Sequence, residues 1–230
     1  LLNHAYASCT YYKDLFDKIG INPNDVKDFS DYCKIPVLKK NNIQGNLDDL
    51  TSKYYMMEEL LPNKTGGSTG KPIHYYHDKE RDISMEASTI RHDRWAGYDI
   101  GDKLAVIWGH RSDVSVAKNM KGRFRDIILN RKRFLDASSI SEEAMENYVM
   151  VLRRFRPKHV LAYANAMYLF AKYCKENSIS DIRPVSIITS AEVLEEKEKS
   201  YIEEVFACKV FNRYGCREVS VVASECEAHS

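Results

Sequence analysis

The stretch Thr65-Gly66-Gly67-Ser68-Thr69-Gly70-Lys71-Pro72 is where residue types and spacing most directly suggest chemistry. Three glycines within five residues permit tight turns and let the backbone approach a ligand closely. Successive N–H groups in such a turn form an anion nest. The hydroxyls of Thr65, Ser68 and Thr69 add donors, and Lys71 adds a positive charge. Polyphosphate is the natural partner of this set; a flexible surface turn is the competing reading. A Walker A loop is excluded on three counts. Its first glycine would fall at Thr65, its magnesium-binding Ser or Thr at Pro72, and a helix must follow, whereas Ile73-His74-Tyr75-Tyr76 has strand character.

Other chemistry-bearing residues are less ordered. Cys226 and His229 end the chain, with Cys216 ten residues upstream of Cys226. Thiolate and imidazole suit zinc, which usually takes four ligands, so the pair is a zinc candidate set against unrelated polar residues. Lys118, Lys121, Arg123, Arg125, Arg131, Lys132 and Arg133 form a basic run. It could meet an anion such as the phosphates of coenzyme A, although such runs are usually solvated faces. His74, His77, His92 and His110 lack a triad partner at a telling spacing, and no G-x-S-x-G supports a serine hydrolase.

The elements that must position these residues can be read from periodicity. Residues 1–60 predict short helices and turns, a helical segment ahead of the main domain. Tyr12, Leu15, Phe16 and Ile19 follow helical spacing and Gly20 marks the stop. A short helix is expected over Asp25–Tyr32, then an extended link at Ile35–Leu38. Residues 61–230 predict an α/β domain. Strands are expected at Ile73–Tyr76, Leu104–Trp108, His159–Tyr163, Val185–Thr189 and Lys209–Tyr214. Helices are expected from about Asp78 to Trp95, after Ser141 as N-cap, over Ala166–Cys174 and over Glu195–Phe206. Such alternation implies a parallel-rich sheet with covering helices, and ligands bind such sheets beyond the strands' carboxyl ends. Tyr163–Asn165, Ser190–Glu192 and Tyr214–Glu218 occupy those ends.

Composition sets the bounds. The 230 residues are 44% hydrophobic and 29% charged, with a formal net charge of +1. That balance is ordinary for a soluble globular chain and gives no global electrostatic argument for nucleic acid. The six cysteines form no C-x-x-C pair, which argues against a disulfide framework and for a reducing cytoplasm. No apolar run approaches the ~18 residues of a membrane span, and Leu1-Leu2-Asn3-His4 lacks the basic start of a signal peptide. The absent initiator Met and the stop at Ser230 suggest a fragment cut at both ends.

The loop resembles the core motif of the adenylate-forming enzymes, and more closely that of the phenylacetate–CoA ligase branch and its relatives in capsular polysaccharide biosynthesis. Further collinear segments share the resemblance: His4-Ala5-Tyr6 with Tyr11-Tyr12, Ile35-Pro36-Val37-Leu38-Lys39-Lys40, Thr189-Ser190-Ala191-Glu192, and Arg213-Tyr214-Gly215-Cys216-Arg217-Glu218, which is similar to a Y-G-x-x-E motif. The resemblance implies that Thr65, Gly66, Gly67, Ser68, Thr69, Gly70 and Lys71 hold the ATP phosphates. It implies that Tyr214 and Gly215 meet adenine, that Ser190, Ala191 and Glu192 line its pocket, and that Glu218 helps place Mg2+. Lys71 and Glu218 would be the catalytic pair. A strand-end core role for Tyr214, a solvated helix residue at Glu218 and a helix start at Glu192 are the alternatives.

The implied reaction turns a carboxylic acid and ATP into acyl-AMP and then an acyl–coenzyme A thioester. The alternatives are a non-catalytic nucleotide-binding relative and an acyl-AMP-forming transferase to a sugar or carrier. The acid is a small carboxylic acid, and a homodimer is one option for assembly. In the family a ribose-binding Asp, a hinge and a C-terminal domain with a catalytic Lys follow the last motif. Little ligase activity is therefore expected of this piece alone.

Overall fold

A computed structural model of the chain describes residues 1–65, 70–109, 131–138 and 140–229. The chain divides into two compact units, Leu1–Ser84 and Met85–Ser230. The basic run at 118–130 and Gly66–Thr69 lie outside the described residues.

The first unit is built from short helices and a hairpin. Helices α1 (Leu2–Ser8) and α2 (Thr10–Ile19) meet at Cys9. Phe16 is fully buried between them, its ring 6.0 Å from Tyr6 and 6.4 Å from Tyr12. The helix expected over Asp25–Tyr32 is divided. A 3-10 turn at Pro23–Asp25 comes first, and α3 (Phe29–Tyr32) starts only after Asp28, whose carboxylate accepts the Asp31 N–H. Asn22 likewise accepts the Asn24 N–H. Such local side-chain caps compete with a continuous helix. Two short helices, α4 (Lys40–Gly45) and α5 (Leu47–Leu50), follow the extended link. Strand β1 (Leu61–Lys64) then pairs antiparallel with β2 (His74–His77), with Lys64 opposite His74.

Helix α6 (Lys79–Trp95) leads into the second unit, whose sheet runs β4-β3-β5-β6-β7-β8. The first five strands are parallel: β3 (Leu104–Trp108), β4 (Lys132–Asp136), β5 (His159–Tyr163), β6 (Ser186–Ser190) and β7 (Lys209–Cys216). The last, β8 (Ser220–Ser224), folds back antiparallel on β7. Helices α7 (Glu142–Phe155), α8 (Ala164–Glu176) and α9 (Glu196–Phe206) provide the crossovers. Ser141 caps α7 by accepting the Ala144 N–H, as expected.

Alternation along the strands sorts the core into two layers. Ala105, Ile107, Val160, Ala162, Ile187 and Val210 pack with Tyr148, Leu152, Phe170 and Phe206 of the crossover helices. Leu104, Val106, Trp108, Leu161, Ile188 and Phe211 face the other way, where Ala96 and Tyr98 cover them. All five residues of β3 and of β6 are buried, which is why their sequences are continuous apolar or small runs. β4 was hidden by its start within the charge run: Lys132 and Arg133 are half-buried on an edge strand, where charge is tolerated.

Candidate functional site

The glycine loop lies in the chain between the paired strands β1 and β2. The Thr65 N–H donates to the Ile73 carbonyl at 2.9 Å, and the Ile73 N–H returns a bond to Thr65 Oγ1 at 3.0 Å. Ile73 therefore closes the loop instead of starting the strand, which runs one residue later than expected. On the outer side the Gln44 amide donates to the carbonyls of Lys71 and Pro72, at 3.1 and 3.3 Å. Gly70 has φ +129°, a conformation that L side chains rarely adopt, so a glycine is required there. Lys71 is exposed, and the chain after it enters a strand, in keeping with the exclusion of a Walker loop. Gly66, Gly67, Ser68 and Thr69 lie outside the described residues.

In the second unit three strand ends come together. β5 ends at Tyr163, β6 at Ser190, and the β7 segment carrying Tyr214 lies next in order. Ser190 Oγ donates to the Arg213 carbonyl at 3.1 Å, joining the Thr189–Glu192 segment to the residue before Tyr214. Ala191 has φ +71°, a left-handed conformation costly for a residue with a Cβ, and such strain clusters at functional sites. Glu192 is the acceptor of the Asn165 N–H at 2.9 Å, so its carboxylate caps the start of α8 from the neighbouring strand end. Glu192 itself lies in a bend ahead of α9 and starts no helix; its carboxylate serves the preceding one.

Tyr214 is 72% exposed. Its reading as a core tyrosine is therefore wrong: the side chain is held out in solvent at the carboxyl end of a parallel strand. Gly215 beside it has no room for a side chain, because an added Cβ would strike the Ser220 carbonyl oxygen. The register of β7 and β8 slips at this point, between Tyr214 and Gly215. Glu218 is exposed in the turn Arg217–Val219 that joins the two strands. It belongs to no helix, so the alternative keeps its solvated side chain but loses its helix.

The zinc candidate fares differently. Among the described residues no three His, Cys, Asp or Glu side chains gather as a metal site would require. The His229 ring lies 4.6 Å from that of Phe211, and its nearest carboxylate, on Glu225, is 3.8 Å away. Glu225 is itself engaged by the Asn212 N–H at 2.8 Å and by Lys199 at 2.7 Å. Cys226 and His229 thus do not fit a zinc centre built from the described residues.

Trp108 and Tyr163 stand where strand order reverses, at the carboxyl ends of β3 and β5. Their rings are 4.3 Å apart, and a Cβ at Gly109 would come within 3.0 Å of the Tyr163 ring. Ligands of open α/β sheets bind at such a switch point. Sequence reasoning reached Tyr163 but gave no sign of Trp108 as its partner. It also missed Asp93, and it named His92 without its partner; both lie on α6 and meet the β7–β8 hairpin. The Arg213 guanidinium donates to the Asp93 carboxylate at 2.9 Å, and both side chains are about nine-tenths buried. Burial pushes the Asp93 carboxyl above its ordinary range against the pull of Arg213. Burial, with the Arg213 charge, pushes the His92 imidazole down. A buried charge inside a helical pattern leaves no local sequence signature.

No protein-family model matches the chain. Over 110 residues it is 31% identical to the phenylacetate–coenzyme A ligase of Escherichia coli (strain K12), a match that covers 47% of this chain and 25% of that enzyme. Against the phenylacetate–coenzyme A ligase of Aromatoleum evansii the identity is 26% over 110 residues, with the same shares. Among solved structures, an open conformation of 2-hydroxyisobutyryl-CoA ligase in complex with 2-HIB-AMP and CoA is similar with a TM-score of 0.74 at 16% identity. That likeness covers 98% of this chain and 50% of the other, so the chain spans about half the length of that ligase. The chain shares the fold of the matched half of that ligase, and over 110 residues its sequence is similar to phenylacetate–coenzyme A ligases.

Proposed function

We propose that this chain supplies the ATP-binding part of an acid–thiol ligase that activates a carboxylic acid as acyl-AMP and passes the acyl group to coenzyme A. The observation that carries the reading is Tyr214, an aromatic ring left 72% exposed beside a glycine that admits no side chain. An exposed ring at the end of a parallel strand offers adenine a stacking face, with Ser190 and Ala191 alongside. The backbone of Thr65–Gly70 and the Lys71 charge hold the β- and γ-phosphates. Glu218 would help to hold Mg2+, which neutralises phosphate charge when bound.

In the first half-reaction a carboxylate oxygen attacks the α-phosphorus in line, and the bond to the β-phosphate oxygen breaks to release pyrophosphate. In the second, the coenzyme A thiolate attacks the acyl carbon and AMP leaves. The residues of this chain act by orienting substrates and neutralising charge.

The test is acid-dependent exchange of pyrophosphate into ATP by the full-length protein across a panel of carboxylic acids, followed by thioester analysis with coenzyme A present and absent. Tyr214→Ala is expected to raise the KM for ATP by about tenfold, since base stacking on an aromatic ring contributes about 1–3 kcal/mol. Lys71→Ala should instead lower kcat. Exchange that ignores added acid, or an unchanged KM for ATP in Tyr214→Ala, would overturn the reading.

A further inference from the structure

Helix α6 buries a carboxylate where a surface helix normally buries an apolar side chain: its buried residue is Asp93. The partner is Arg213 on β7, at 2.9 Å, and neither side chain is more than 10% exposed. Two charges taken this far out of water cost about as much as their attraction returns, and an apolar pair of like volume often gives equal or greater stability. What an ion pair adds is a fixed distance and direction, and here the direction matters because Tyr214 is the residue after Arg213 in the strand.

Arg213 is held at three places. Its guanidinium meets Asp93, its carbonyl oxygen accepts from Ser190 Oγ at 3.1 Å, and its backbone pairs with Ser224 across β7 and β8. Ser224 is gripped in turn by His92, whose Nδ1 lies within hydrogen-bond distance of Ser224 Oγ. Two consecutive residues of α6 therefore hold two directly opposed residues of the hairpin. The side chain of Tyr214 points to the opposite face from that of Arg213 by strand alternation. The ladder slips between Tyr214 and Gly215 and resumes with Gly215 opposite Val221, so Arg213 and Tyr214 are the last residues in register with Ser224 and Ala223 before the slip.

We propose that Asp93 is a positioning residue for nucleotide binding, acting through Arg213 to set the place of the Tyr214 ring. The inference rests on the reading of Tyr214 as the adenine contact. It gives the placing of the base-binding ring to a helix that is far from Tyr214 in sequence and reaches it through Arg213.

The experiment compares binding of AMP with binding of inorganic tripolyphosphate by calorimetry, with Tm measured for every variant. Asp93→Asn removes the charge and keeps the shape. The paired variant Asp93→Leu/Arg213→Met removes both charges and leaves no lone buried ion, so it stays folded if the single variant does not. Both are expected to weaken AMP binding about tenfold, as a small misplacement of a binding group does, and to leave tripolyphosphate binding unchanged. Arg213→Lys, which keeps the charge, should lose less. Equal loss on both ligands would mean general damage to the fold and would overturn the proposal, as would unchanged AMP binding in the folded variants. Tyr214→Ala is the control: if it leaves AMP binding unaltered, the adenine reading itself fails, and that outcome is distinct from failure at Asp93 alone.

Discussion

At the scale of single residues, Gly215 is the position with the least freedom. Its φ is not in the left-handed region; what excludes a side chain is the Ser220 carbonyl oxygen, which faces the place a Cβ would take. The obstacle is backbone, so it cannot swing aside as a flexible side chain would. Gly215→Ala should cost roughly 1–3 kcal/mol of stability through overpacking and should weaken AMP binding, because Tyr214 is the adjoining residue. Gly45→Ala provides the contrast. Nothing lies within 4 Å of a Cβ added there, and Gly45 closes α4 without a positive φ. That change should be neutral or slightly stabilising. Urea denaturation of the two variants checks both statements, and equal midpoints would show that the contact at Ser220 relaxes freely.

At the scale of elements, the β7–β8 hairpin depends on Glu225, just beyond β8. Its carboxylate accepts the Asn212 N–H at 2.8 Å and meets Lys199 at 2.7 Å, and its own N–H donates to the Asn212 carbonyl at 3.0 Å. Burial alone would raise this carboxyl. The Lys199 and Asn212 bonds overcome it, with help from the Lys199 and His229 charges, and hold the group below its ordinary 4.5. A depressed carboxylate stabilises the fold fully above the unfolded value and loses that contribution as pH falls through the folded one. Glu225→Gln should therefore be less stable than wild type by about 1–2 kcal/mol near pH 6, with the gap closing below about pH 4.5. Urea midpoints from pH 6 to pH 3 measure this; parallel profiles would refute it. The hairpin also shows what the sequence could and could not reveal. The crossover helices and buried strands were legible because periodicity carries them: His159–Tyr163 lies where expected, and Ala166–Cys174 and Glu195–Phe206 each sit within two residues of their helix ends. β8 and β4 were not, since edge strands bury too little to impose a pattern. The candidate site was legible where a backbone requirement forces a residue type, as at Gly70 and Gly215. It was illegible where two distant polar residues meet, as Asp93 and Arg213 do, because neither alone departs from a solvated charge.

At the scale of the whole molecule, the second unit is a sheet covered on both faces, and its two layers carry different burdens. The crossover-helix layer holds the large fully buried side chains: the Phe170 ring lies 5.8 Å from Phe206 and 5.6 Å from Tyr148, each at most 2% exposed. The other layer, covered by Ala96 and Tyr98 just beyond α6, gathers fewer buried apolar side chains among the described residues and carries the buried ion pair. Stability should therefore be concentrated in the first layer and nucleotide geometry in the second. Phe170→Ala separates them. Removing a buried phenyl group costs about 3–5 kcal/mol, a large part of the roughly 5–15 kcal/mol that a domain has in all. The variant should unfold at markedly lower urea, yet at a temperature where circular dichroism shows it folded, its Kd for AMP should match wild type. Asp93→Asn should show the reverse, a modest shift in midpoint with about tenfold weaker AMP binding. The opposed pattern decides the matter: a folded Phe170→Ala protein with impaired AMP binding would mean that the helical layer sets the place of Tyr214 as well, and that the two layers act as one body.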